Sequence, residues 1–292
     1  GLLMTKHTMH GIVSQWITEA ELRDGLFLLA LVLIALPLTP NTALWGNVLN
    51  PYVILKLLIL ILSVQALAHI AKRLLSSSNA LMLSAIASGF VSSTATIASL
   101  GMEVRAGRGE ARINAGAALM SCVATLAQML IIVAGVNLAW FKLLIIPSLV
   151  GIAILVVAGV WLLKRHKNTA TAKPETDTRM FSLKEAAIIV ATLTAIQAMV
   201  YGLEQTLGDA GLIIGTLLAS LFEVHGAIAT VVMQGPPSQK VLLYALILGL
   251  VAHAIAKCVN AVLIGGLRFA LYFTPAQILH MLALVAILYM MV

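Results

Sequence analysis

Charge is scarce in this chain. Only 10% of its 292 residues are Asp, Glu, Lys or Arg, and 61% are hydrophobic, against about 25% charged and about 45–50% apolar in soluble globular domains. So few charges cannot cover a water-facing surface, which argues against a water-soluble enzyme. Cysteine is nearly missing too. Cys122 and Cys258 both lie inside apolar runs, which leaves neither a disulfide framework nor a CxxC metal site. The patterns HExxH, GxxxxGK[ST] and GxSxG do not occur, and no nucleophile stands beside a base, so neither catalysis nor a cofactor is expected. Acidic residues number 11 against 18 Lys and Arg, a net charge of +7. In so apolar a chain that excess reads as loop charge setting membrane orientation, and nucleic acid is not the expected partner.

What the chain has instead is long apolar runs. About 20 apolar residues cross a bilayer core of about 30 Å. Nine runs approach that length: Gly25 to Leu38, Val53 to Leu75, Leu81 to Met102, Ile113 to Val136, Trp140 to Leu163, Leu183 to Leu203, Leu212 to Met233, Val241 to Leu263 and Phe269 to Val292. The first is short and needs the amphipathic stretch Ile12 to Leu22 as a lead-in. Residues 1–24 are read as that lead-in, preceded by a missing domain whose last membrane helix survives as Gly1 to Met4. Residues 25–52 are a first membrane helix with an outer loop, 53–163 a first membrane repeat, 164–182 a basic cytoplasmic linker and 183–292 a second repeat.

The repeats rest on an ordered recurrence. Gln65-Ala66 and Ala87-Ser88-Gly89-Phe90 return 132 residues later as Gln197-Ala198 and Ala219-Ser220-Leu221-Phe222 (197−65, 219−87). Gln128 then falls opposite Lys257, and Phe141 with Pro147 opposite Phe269 with Pro275, with the offset drifting to 129 and 128 (257−128, 269−141). Such a series over four consecutive runs argues for duplication. If all nine runs cross, the best split of Lys and Arg is 11 to 6. If the third and seventh instead dip in and return, 14 fall on one side and only Lys56, Lys142 and Lys240 on the other, with Lys257 in the membrane. The re-entrant arrangement satisfies the positive-inside rule better. The expected architecture is an all-α polytopic membrane protein, about seven transmembrane helices plus two re-entrant or broken helices, in two inverted repeats with binding near the midplane.

The two unusual runs carry the polar residues. Ser92, Ser93, Thr94 and Thr96 sit mid-run in one, Glu223 and His225 in the other. An ionisable side chain at that depth costs about 2.5–3.5 kcal/mol on insertion scales and calls for a partner. The expected partner of Glu223 is Lys257, with His253 one turn before it on the same face. A buried Glu–Lys pair that merely locks helices is the bland alternative. The hydroxyls would cap a broken helix, or simply ease helix packing. Opposite the charged cluster stand Ser93 against His225 and Gln128 against Lys257. A metal, if any, would fall to Glu223 and His225. Gln65 and Gln197 are expected to hydrogen-bond across helices, Gly211-x-x-x-Gly215 to pack closely, His69 to be interfacial and His280 to be a packing residue.

Glu19 to Pro40, Gly89 to Ser99 (GFVSSTATIAS), the EVHG segment at Glu223 to Gly226, and Lys257 with Gly265 to Ala270 together resemble a bacterial membrane domain of unknown function usually fused behind an MgtC/SapB-type domain. The resemblance spans nearly the whole chain and marks Ser92, Ser93, Thr94, Thr96, Glu223, His225 and Lys257. It departs at Gln128, where some members carry Arg. It implies the bacterial inner membrane, an upstream MgtC-like domain and contact with the lipid bilayer; a homo-oligomer is compatible with it. The function expected is movement of a small ion or proton-coupled solute through a midplane site. The alternative is a non-transporting scaffold that regulates a partner such as an ion-pumping ATPase. An enzyme built on Glu223, His225 and Lys257 ranks last.

Overall fold

The computed structural model describes residues 18–44, 49–74, 80–164 and 183–291. The basic linker and most of the amphipathic lead-in lie outside these. Among the described residues the chain is all-helical. Helix α1 (Glu19–Ala30) runs on through a π turn at Leu31–Ala35 to Leu38. Then come α2 (Pro51–Leu74), α3 (Ala80–Arg105), α4 (Ala111–Val136), α5 (Leu138–Leu163), α6 (Leu183–Leu207), α7 (Asp209–Phe222), α8 (Val224–Gln234), α9 (Lys240–Asn260) and, after a π turn at Ala261–Gly265, α10 (Gly266–Met291). Six stretches are long and apolar enough to cross a bilayer, and the last of them, Lys240–Met291, holds both α9 and α10. This is a multi-pass membrane protein.

Helix α4 is the axis of the molecule. Most of its buried apolar residues lie in the largest core cluster, and its buried face also carries Asn114, Ser121, Thr125 and Gln128. α3 packs along it, but not as one rod. At Ser92 the backbone is extended (φ −165°, ψ 105°). Before the break, Ala85 shares a core cluster with Ala117 and Met120, and Gly89 lies against Ser121, so this half runs parallel to α4; Ser93, just past the break, reaches Thr125. After the break, Asn114 donates to the Leu100 carbonyl at 3.0 Å and to Glu103 at 3.1 Å, so the second half runs back. By length α3 could span; by its contacts it is a hairpin with its tip at Ser92.

A second hairpin follows the same plan. α7 and α8 are separated by one extended residue, Glu223 (φ −145°, ψ 104°). α7 packs antiparallel on α6, with Gly211 against Leu203 and Gly215 against Val200, so the GxxxG spacing is a close-packing device here. α8 returns parallel to α6, from Gly226 beside Leu193 to Gln234, which donates to Glu204 at 3.1 Å. Its C-terminal end sits where α4 ends and α5 begins: Asn137 donates to the Val232 carbonyl at 3.4 Å and Trp140 to that of Gly235 at 2.7 Å. The first hairpin opens beside the start of α4 and the second beside its end. The two therefore point at each other from opposite ends, and their tips meet near the middle of α4.

One smaller expectation fails. Gln65 and Gln197 are both buried, yet Gln65 Oε1 and both amide atoms of Gln197 have no hydrogen-bond partner. His69 lies 3.1 Å from buried Glu21.

Candidate functional site

Each tip is a helix start, and each break supplies its own cap. A helix N-terminus leaves backbone N–H groups unsatisfied, and a side-chain oxygen at the preceding extended residue can accept from them. Ser92 Oγ accepts from the Ala95 amide at 3.2 Å. Glu223 does the same for α8: Oε1 accepts from the His225 amide at 3.0 Å and Oε2 from the Gly226 amide. The two capping residues are 131 apart (223−92), within the drift of the sequence repeat. This registers Ser92 with Glu223 and moves His225 opposite Thr94, one residue from the expected Ser93.

The expected Glu223–Lys257 pair is not formed. Glu223 Oε1 lies 2.7 Å from Nδ1 of His225, two residues along the same helix end. Among the described residues no ion pair joins Glu223 to Lys257. The reason is local: the amides and imidazole of α8 are already within reach of this carboxylate. His225 Nε2 faces the Thr125 carbonyl at 3.4 Å. Both ring nitrogens thus face acceptors, and a neutral ring can donate to only one of them.

Lys257 is 2% exposed and donates to Thr125 Oγ1 at 3.1 Å. Thr125 Oγ1 donates in turn to Ser93 Oγ at 2.8 Å. Thr125 is therefore the meeting point, touched by the first tip through Ser93, by the second through His225, and by α9 through Lys257. Nothing in the pair arithmetic of charged residues pointed to it. The available signal was the spacing of Ser121, Thr125 and Gln128, which marks a polar stripe on an apolar helix.

The remaining candidates divide. His253 is buried, and its Nδ1 lies 2.9 Å from the Ser220 carbonyl, which ties α9 to the end of α7. Thr96 donates to the Ser92 carbonyl at 2.9 Å and to Ser88 at 3.1 Å, inside the hairpin. The Thr94 carbonyl accepts from Asn260 at 3.2 Å. These two hold the first tip together and to α9. Gln128 is buried but does not line the cavity beside Lys257. That cavity, of about 20 Å³, is bordered by Thr125, His253, Lys257, Gln277 and His280. His280, expected to be packing, has its Nδ1 unpartnered there. No group of three His, Cys, Asp or Glu that could hold a metal ion occurs among the described residues, so Glu223 and His225 are not joined there by a third residue of these types.

The family model described as Domain of unknown function (DUF4010) matches residues 59–265. This span covers both hairpins, Thr125 and Lys257. No curated protein and no solved structure matches the chain.

Proposed function

Since the chain belongs to the DUF4010 family, we propose from its own geometry that it moves a small ion or proton-coupled solute across a membrane, through the place where the two hairpin tips meet. One observation carries this reading: two broken helices approach from opposite ends of α4 and converge with a buried lysine on Thr125. Breaks in membrane helices leave backbone groups that need a polar site, and secondary transporters build binding sites at such breaks between inverted repeats. The matched caps at Ser92 and Glu223, and the opposed hairpins, support reading the two halves as inverted repeats. Scaffolding a partner would not require a cationic side chain buried at the same point.

Orientation follows from charge. Arg105, Arg108, Arg112, Lys164 and Arg268 lie at the end where the first hairpin opens, and Lys142 and Lys240 at the other. The positive-inside rule makes the first end cytoplasmic. A bacterial inner-membrane location and an MgtC/SapB-type neighbour rest on the resemblance alone.

The test is flux in liposomes holding purified protein, screened over protons, magnesium, other metal ions and small anions. Flux for one of these is expected, and Glu223→Gln should abolish it while the protein still purifies folded. No flux for any ion, together with a stable co-purifying partner, would replace this reading with the scaffold.

A further inference from the structure

Lys257 is buried with no carboxylate in ion-pairing reach among the described residues, because Glu223 is committed to His225 and to the amides of α8. A buried charge left unpaired is costly unless something balances it. Beside it the cavity of about 20 Å³ is large enough for one water or one monatomic ion. Three buried side chains of its wall have polar atoms with no partner: His253 Nε2, His280 Nδ1 and Gln277 Oε1. Each of these residues is more than nine-tenths buried, and they come from α9 and α10, so the polar wall is assembled from two helices rather than from one helix end.

We propose that this cavity is a binding site for a small anion of halide size, held by the Lys257 ammonium. Lys257 has three N–H donors and spends one on Thr125. A second lies within hydrogen-bonding reach of the Cys122 thiol, and Lys257 and Cys122 both line the cavity, where an anion would supply the missing counter-charge. Gln277, whose amide can be oriented either way, can complete its shell with an N–H donor, whereas the one O–H of Thr125 is already given to Ser93. His253 cannot help in its neutral form. Its Nδ1 must donate to the Ser220 carbonyl, which leaves Nε2 as an acceptor. An anion therefore favours uptake of a proton at this ring, and anion and proton would enter the cavity together. The N-terminus of α8 borders the same space at Val224, but its first free amides are taken by Glu223, so the lysine and not the helix end is the anchor. As a statement about the transported ion this rests on the transport reading above; as a binding site it stands on the geometry of the cavity.

The experiment replaces chloride with bromide throughout purification and crystallisation of the full chain and records anomalous scattering. A bromide peak in contact with Lys257 Nζ is the expected result. Density for water alone in the cavity, with no bromide, overturns the proposal. In parallel, bromide should raise the unfolding temperature of the detergent-solubilised protein relative to gluconate at equal concentration, and Lys257→Met should remove that difference. If Lys257→Met does not fold, the peak in the unmutated protein decides alone. Bromide bound without flux of any ion in liposomes would sink the transport reading and leave the site, whereas flux of another ion with no bromide at Lys257 would sink the site and leave transport.

Discussion

Thr125 bears three relationships at once, and a substitution there separates them. Thr125→Val keeps the shape but deprives Lys257 of its acceptor and Ser93 of its donor. Leaving buried polar groups unmatched costs about 1–3 kcal/mol, so unfolding in detergent should shift by that amount, whereas Thr125→Ser should restore both stability and flux. Glu223 and His225 are in direct contact, so Glu223→Gln and His225→Asn should not add: a double-mutant cycle should show a coupling of about 0.5–3 kcal/mol. A coupling near zero would mean that the pair is not formed. At this scale the sequence was legible in part. Ser93, Glu223, His225, His253 and Lys257 do surround one point, because ionisable and hydroxyl groups inside apolar runs are rare enough to stand out. Their partners were not legible. A carboxylate that starts a helix is captured by the amides behind it, and Glu is not among the residue types that usually advertise an N-cap. Gln277 and His280 gain their meaning only from the helices that adjoin α10.

Apolar length is a strong signal for helix bounds: the run Trp140 to Leu163 is α5 (Leu138–Leu163), and Ile113 to Val136 is α4 (Ala111–Val136). The hairpins were legible only as anomalies of composition, since reversal depends on what the two halves touch. Their caps differ in strength. Losing a cap costs about 0.5–2 kcal/mol. Glu223→Ala should sit at the upper end, because two amides and an imidazole lose their acceptor, and Ser92→Ala at the lower end, with one amide affected. Gly89 shows how closely the first hairpin approaches α4: a Cβ there would come within 2.6 Å of the Ser121 Cα. Backbone cannot yield as a flexible side chain can, so Gly89→Ala should destabilise by about 1–3 kcal/mol, measured by denaturant titration of the purified protein. An unchanged midpoint would mean that the two elements are not in contact.

For the molecule as a whole, two hairpins approach from opposite ends of α4 and meet at Thr125. Charge asymmetry in the sequence pointed to this arrangement by favouring re-entry over spanning, and the contacts of α3, α7 and α8 with their neighbours agree with it. Positions Asn47 and Thr171, natural places to probe the two faces, lie outside the described residues. Gly107, just after the first hairpin, and Ser238, just after the second, are exposed and serve instead. With Cys122 and Cys258 replaced, single cysteines at these two positions can be challenged with a membrane-impermeant maleimide in sealed vesicles of known orientation. Gly107→Cys should label only from the cytoplasmic face and Ser238→Cys only from the opposite one. Labelling of both from the same face would contradict this arrangement.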